Sequence, residues 1–159
     1  MTEPRAPHKV LVACLGNPDR GDDGLGAAVA RQLETALPGN ATLIERRGDM
    51  LELIGGFKDF DALVCVDASA PMGFPGRIRR IDVANGELRA ELAATSTHGF
   101  GLADAIALAR TLNGAPENIV VYAVEGRRFE AGAAMSPEVA AAACEAARQV
   151  IEEVKRLSC

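Results

Sequence analysis

Near the start of the chain stand Val10-Leu11-Val12-Ala13-Cys14-Leu15 and, directly after them, Gly16-Asn17-Pro18-Asp19-Arg20-Gly21-Asp22-Asp23-Gly24-Leu25-Gly26. The first stretch is a continuous apolar run, which is typical of a strand that is buried on both faces of a sheet. Apolar residues then recur at helical spacing over 24–37, which predicts a helix. The adjacent carboxylates of Asp22 and Asp23 therefore fall between a buried strand and a helix, where open α/β proteins bind their ligands.

Strands and helices alternate through the rest of the chain. Further strands are predicted at 41–45, 62–67, 77–83 and 118–124, and further helices at 50–55, 99–113 and 137–156. The turn-rich segment 68–76 is too short for a crossover helix, so the strand after it is expected to be an antiparallel edge strand. Right-handed crossovers then give the strand order 2-1-3-5-4. The sequence thus predicts an α/β three-layer sandwich, in which helices cover both faces of a five-stranded, mostly parallel, twisted sheet.

The composition limits the class of protein and its partners. The chain has 159 residues, 48% of them hydrophobic, which fits a single domain over 1–159 with a flexible tail at 1–8. A net charge of −5 argues against binding to nucleic acid or to an anionic membrane. No apolar stretch approaches the roughly 20 residues that span a bilayer, and no secretory signal is expected. We therefore expect a cytoplasmic protein that acts as a monomer. Its four cysteines lack Cys-x-x-Cys spacing and predict no disulfide or zinc framework.

Two further residues extend the acidic pair into a candidate metal site. Asp67 ends the apolar run that begins at Ala62, and His98 follows Thr95-Ser96-Thr97 immediately before a predicted helix. Because strands 1 and 3 are neighbours in the predicted sheet, Asp23 and Asp67 are expected to emerge side by side. A histidine from the loop that leads into the next helix would complete a site of three ligands, with open positions for water or substrate.

Other features near this edge have structural interpretations. Helix capping accounts for one of Asp22 and Asp23, because an aspartate in the first turn meets unpaired N–H groups and the helix dipole. The segment 126–135 borders the carboxyl ends of the central strands, and we expect it to be mobile and to act as a flap. Ser136-Pro137-Glu138 then provides a cap, a first-turn proline and a favourable acid for the last helix.

The chain resembles the nickel-iron hydrogenase maturation endopeptidases through several short motifs. These are the run from Leu15 to Gly26, with Gly-Asn followed by Asp-Asp-Gly-x-Gly, then Val66-Asp67-Ala68, Ser96-Thr97-His98-Gly99 and Val124-Glu125-Gly126. They occur in the same order and spacing over nearly the whole chain. The resemblance implies a metal-dependent, aspartic-type endopeptidase. Such an enzyme removes the C-terminal extension of a hydrogenase large-subunit precursor after nickel has been inserted.

Carried over onto the matching positions, the resemblance makes Asp23, Asp67 and His98 both the catalytic residues and the metal ligands. The nickel that they engage is expected to be supplied by the precursor, which is the expected partner. The chain departs from the family pattern at Cys14, where a glycine is common, and at Pro18-Asp19, where an apolar pair is common. The second departure changes the loop that is expected to face the precursor.

Two other classes of protein share parts of this pattern. A receiver-like phosphoacceptor module has paired acids after strand 1 and a phosphorylated aspartate after strand 3, which would be Asp67. Glu125-Gly126-Arg127 stands where the lysine of a receiver is expected. Peptidyl-tRNA hydrolase shares Leu-Gly-Asn-Pro at 15–18, but its downstream tyrosine and Arg-His-Asn elements are missing, and the acidic charge does not suit a tRNA partner. A stable phosphoryl group on Asp67, or salt-sensitive tRNA binding, would favour these alternatives.

Overall fold

Five strands form one sheet in the computed structural model, which describes residues 8–48, 50–83 and 101–158. They are β1 (Val10–Leu15), β2 (Ala41–Arg46), β3 (Ala62–Ser69), β4 (Ile78–Asp82) and β5 (Asn118–Glu125). Their order in the sheet is β2-β1-β3-β5-β4. The pairs β1–β2, β1–β3 and β3–β5 are parallel, and β4 runs antiparallel to β5 at the edge. The predicted strand order and the reversed edge strand are confirmed.

Helices cover both faces of this sheet, as the sequence predicts. The helices in the described ranges are α1 (Leu25–Leu33), α2 (Met50–Ile54), α3 (Leu102–Thr111) and α4 (Pro137–Leu157). Alternate residues of β3 point to opposite faces: Val64 and Val66 belong to the core with α1 and α4, and Leu63 and Cys65 to the core with α2 and α3. None of the helices in these ranges is long and apolar enough to cross a membrane.

Several element bounds differ from the predicted ones, the end of α1 and the end of β3 among them. α1 ends at Leu33 rather than Leu37, because the N–H groups of Ala36 and Leu37 both turn back onto the Leu33 carbonyl. β3 continues to Ser69, because its last residues pair with the end of β5. Asp67 therefore lies within a strand that is buried along its whole length, two residues before the end of that strand.

The topology brings the carboxyl ends of the parallel strands to one edge, which we call the carboxyl edge. From β1 the chain passes to β2 on one side and then returns to β3 on the other side, so the crevice between β1 and β3 is the topological switch point. α1 and α4 begin at this edge because they follow β1 and β5. α3 also begins there, because it precedes β5 and crosses back over the sheet.

Candidate active site

Asp23 lies at the carboxyl edge because the loop after β1 turns back tightly on itself. Gly16 has a φ of +121°, which L side chains rarely adopt, and a Cβ atom at this position would lie 2.1 Å from the carbonyl oxygen of Asp23. The backbone N–H of Asn17 donates a hydrogen bond of 2.8 Å to Oδ2 of Asp23. Asp23 is 6% exposed and belongs to a 3-10 helix, Gly21–Gly24, that leads directly into α1. The backbone of this loop therefore sets the position of the carboxylate.

Asp67 reaches the same crevice from the central strand. It is 8% exposed and pairs in register with Ala123 of β5. The last residue pair between β1 and β3 is Cys14 with Val66, so Asp67 lies beside the start of the loop that carries Asp23. β3 also contacts the 3-10 helix to which Asp23 belongs. The structure thus brings Asp23 and Asp67 together at the switch point.

The two carboxylates interact electrostatically. Burial raises the pKa of Asp67 well above its ordinary value, and the negative charge of Asp23 raises it further. A hydrogen bond from the N–H of Ala68 opposes these effects but does not cancel them. Two carboxylates that share a buried site repel each other when both are ionised. Keeping both carboxylates of such a pair ionised costs free energy, which a purely structural role does not explain. A buried pair of carboxylates in a crevice is therefore a candidate functional site.

His98 lies outside the described residues, so its role as the third ligand stays a prediction. Within 8–48, 50–83 and 101–158, no group of three or more His, Cys, Asp and Glu side chains is placed to hold a metal ion. The carboxylates of Asp23 and Asp67 supply two oxygen donors of the type that divalent cations bind. Gly101, which caps α3 three residues after His98, lies at the carboxyl edge.

Asp22 has a structural role that the sequence did not reveal. Its carboxylate is fully buried and accepts four hydrogen bonds: from the N–H groups of Arg127 (2.7 Å) and Arg128 (3.0 Å), and from the N–H (2.6 Å) and hydroxyl (2.8 Å) of Ser136. Burial by itself would raise the pKa of Asp22, but the bonds from Ser136, Arg127 and Arg128 outweigh it and hold the pKa below the ordinary value. Asp22 therefore joins the loop after β1 to the loop after β5.

These bonds change the interpretation of two predicted features. Segment 126–135 is attached to the site loop, since the N–H of Asp22 donates to the Arg128 carbonyl at 2.9 Å and the N–H of Gly132 donates to the Asp19 carbonyl at 2.8 Å. A segment held at these points does not fit a free flap. Ser136 occupies the N-cap of α4 as predicted, but its side chain makes no capping hydrogen bond there. Its hydroxyl donates to Asp22 instead.

Fold and site together define an open α/β protein with a buried pair of carboxylates at its switch point. Comparison with known proteins identifies the family within this class. The HycI family, described as hydrogenase maturation protease, matches residues 8–153. The chain belongs to the hydrogenase maturation protease family, and it is thus an endopeptidase of hydrogenase maturation. This assignment replaces the receiver and peptidyl-tRNA hydrolase alternatives.

Solved structures with this fold include several hydrogenase maturation proteases. The hydrogenase maturating endopeptidase HybD from E. coli is 25% identical, with a TM-score of 0.79 and 93% of each chain covered. The hydrogenase 2 maturation peptidase from Thaumarchaeota archaeon SCGC_AB-539-E09 is 26% identical, with a TM-score of 0.68, over 92% of this chain and 97% of that one. The [NiFe] hydrogenase maturation protease HycI from Thermococcus kodakarensis KOD1 is 25% identical, with a TM-score of 0.70 and 94% of each chain covered. No curated protein sequence matches the chain.

Proposed function

We propose that this chain removes the C-terminal extension from the nickel-loaded precursor of a NiFe hydrogenase large subunit. In this proposal Asp23, Asp67 and His98 engage the nickel ion that the precursor carries, and the enzyme acts in the cytoplasm as a monomer. The observation that carries the proposal is the buried pair of Asp23 and Asp67, which repel each other at the switch point. Membership of the hydrogenase maturation protease family supplies the kind of reaction.

The chemistry of the donor atoms fits a divalent cation brought by the substrate. Two ionised carboxylates at close range repel each other, and a cation placed between them would replace this repulsion by attraction. Carboxylate oxygens with an imidazole nitrogen make a mixed set of ligands that accepts several divalent metals, nickel among them. The preference for nickel comes from the family resemblance.

The residues of this chain would bind and orient the substrate. The N–H of Asn17 fixes Oδ2 of Asp23, and the buried strand β3 fixes Asp67, so both carboxylates are in position before the precursor arrives. A metal ion in the substrate can polarise a scissile carbonyl and lower the pKa of a bound water. A precursor without nickel would fail to complete the site and would therefore be cleaved slowly. Cleavage would then act as a checkpoint on metal insertion.

The proposal is tested by incubating the purified chain with a large-subunit precursor, with and without inserted nickel, and measuring the loss of the C-terminal peptide by intact mass. We expect truncation only of the nickel-loaded precursor. Asp67→Asn and His98→Ala should abolish it, whereas Asp59→Asn, at an exposed position near the opposite edge of the sheet, should not. Equal cleavage with and without nickel would contradict the proposed role of the metal. No cleavage of either precursor by the wild-type chain would contradict the proposed substrate.

A further inference from the structure

The loop between β3 and β4 exposes two large apolar side chains next to the candidate active site. Met72 is 54% exposed and Phe74 is 62% exposed, and we call these two side chains the apolar tip. The loop lies at the carboxyl edge, because β3 ends there and the antiparallel strand β4 begins there. The other large hydrophobic side chains exposed in the described part of the chain lie on α2 and α3 or just after α3. Exposed apolar side chains that lie together on a loop mark candidate contact surfaces.

The apolar tip is held in place by a buried carboxylate. The side chain of Glu125 is 1% exposed and accepts hydrogen bonds from the N–H of Phe74 and, at 3.3 Å, from the guanidinium of Arg77. The main chain of Glu125 adds a bond of 2.7 Å from the N–H of Gly76 and one of 2.9 Å to the Arg77 carbonyl. A buried carboxylate is costly unless it is bonded, and here its bonds go to the loop that carries the tip.

Further contacts on the outer side of the loop limit the freedom of the tip. The guanidinium of Arg77 lies 5.2 Å from the centre of the Phe74 ring, within the range of a cation–π interaction. The side chain of Arg79 contacts the sulfur of Met72 at 3.9 Å. Gly76 is packed so closely against the start of α4 that a Cβ atom would lie 2.7 Å from the Glu138 carbonyl oxygen. The apolar tip is therefore exposed but ordered, which lowers the entropy lost when a partner binds.

We propose that the apolar tip is a docking surface for an apolar patch on the hydrogenase large-subunit precursor. This inference rests on the proposed function and identifies a surface that the substrate contacts outside the carboxylate pair. Met72 is the fifth residue after Asp67, so the two Cα atoms lie within roughly 18 Å of each other, the length of a fully extended chain. A standard protein interface buries about 800 Å² on each partner, a disc with a radius of roughly 16 Å. Such a disc is roughly 32 Å across, so one interface of standard size is wide enough to include both Asp67 and the apolar tip.

Kinetics of the double variant Met72→Ala/Phe74→Ala test this docking surface. With the nickel-loaded precursor, we expect KM to rise about tenfold or more, as is typical when central apolar contacts of an interface are truncated, while kcat at saturating precursor changes little. The matched control is Leu112→Ala. Leu112 is also an exposed apolar residue, at 64%, but it follows α3 at the opposite edge of the sheet. The control should keep the wild-type KM, and both variants should keep the wild-type Tm.

A binding experiment separates docking from catalysis. Asp67→Asn is combined with the tip variant or with Leu112→Ala, and the affinity of each protein for the precursor is measured without turnover. Weaker binding of the tip variant, but not of the Leu112→Ala variant, supports the docking surface, even if the wild-type chain does not cleave that precursor.

An unchanged KM and an unchanged affinity of the tip variant overturn the docking surface and leave the proposed function intact. A wild-type chain that neither binds nor cleaves the precursor contradicts both. Loss of a dimer in the tip variant, with unchanged cleavage, would show that the tip contacts a second copy of this chain and would overturn the proposal.

Discussion

Two buried carboxylates on opposite faces of the sheet have opposite surroundings. Asp67 faces the side of α2 and α3, and its pKa is raised by burial and by the charge of Asp23. Glu153 of α4 lies on the other face and accepts hydrogen bonds from Arg80 (2.6 Å), from the Tyr122 hydroxyl (3.1 Å) and from Arg156 (2.8 Å). Burial would raise the pKa of Glu153, but these partners outweigh it and lower the pKa.

The difference separates a carboxylate that stabilises the fold from one to which we assign a role in the proposed reaction. Glu153 connects α4 to β4 and β5 through oppositely charged and hydroxyl partners, so its ionised form is stabilised in the folded protein. Asp67 shares its site with a like charge, and its ionised form is destabilised. A fold tolerates such an arrangement where a ligand relieves it, and this is why perturbed acids cluster at functional sites. Removing each acid should therefore have opposite consequences for activity and for stability.

The largest effect is expected at the carboxylate pair. Asp67→Asn should lower the rate of precursor cleavage by about a hundredfold or more, because it removes a charged group from the proposed active site. The free energy of unfolding should stay the same or increase, because the amide removes the repulsion with Asp23. Precursor cleavage followed by mass, together with urea unfolding, measures both quantities.

Asp59→Asn is the control for this change, since Asp59 is exposed near the other edge of the sheet. A large loss of stability in Asp67→Asn would show that this carboxylate holds the fold together as Glu153 does. That result would contradict the proposed difference between Asp67 and Glu153.

The next largest effect is expected at Glu153. Glu153→Ala should lower the free energy of unfolding by about 2 to 3 kcal/mol, because it breaks a buried ion pair and leaves the Tyr122 hydroxyl without its acceptor. The loss should fall short of the value for a fully buried pair, because the guanidinium groups of Arg80 and Arg156 are 41% and 63% exposed. Cleavage per folded molecule should be unchanged.

Glu145 offers a matched control on the same helix. It also pairs with an arginine three residues further on, Arg148, at 2.6 Å, but both partners are exposed. Glu145→Ala should lower the free energy of unfolding much less than Glu153→Ala does, because exposed ion pairs contribute little to stability. Equal losses at the two positions would mean that burial of Glu153 contributes nothing to stability.

A smaller effect is expected at Asp22, whose hydrogen bonds connect the loop after β1 to the loop after β5. Asp22→Asn should lower the free energy of unfolding by about 2 kcal/mol, since an amide group can accept only part of the four hydrogen bonds and its NH2 faces donors. Ser136→Ala removes one of those bonds and should lower the free energy of unfolding by about 1 kcal/mol.

Limited trypsin digestion should rank the two variants in the same order, because Arg127 and Arg128 are exposed cleavage points in the segment that Asp22 attaches. Cleavage after these arginines should be faster in Asp22→Asn than in Ser136→Ala. Equal digestion of both variants and the wild-type chain would show that Asp22 does not hold this segment.

The sequence predicted the architecture because architecture depends on local periodicity and general chain rules. The buried runs of β1 and β3, the short turn before β4 and the handedness of crossovers were sufficient for the strand order. The same rules placed Asp67 beside Asp23. The role of Asp22 was not predictable, because its partners, Arg127 and Ser136, lie 105 and 114 residues away and are backbone or hydroxyl groups with no motif. The role of Glu125 was missed for a similar reason, since its bonds organise a loop that sequence reasoning treated only as a turn.

The smallest effect is the pH dependence of the Glu153 contribution. The pKa of Glu153 is lowered in the folded protein, so its stabilising effect is fully present above its ordinary value near 4.5 and is lost as the pH falls from there through the lowered pKa. The difference in unfolding free energy between the wild-type chain and Glu153→Gln should be constant from pH 7 to pH 5. Below pH 4.5 it should shrink, by at most about 1.4 kcal/mol per pH unit, because a single proton is involved. Urea unfolding of both proteins at half-unit steps from pH 7 to pH 3 measures this difference. A constant difference throughout this range would mean that Arg80, Arg156 and the Tyr122 hydroxyl give the ionised carboxylate no net stabilisation beyond the cost of its burial, and that Glu153 stabilises α4 through packing alone.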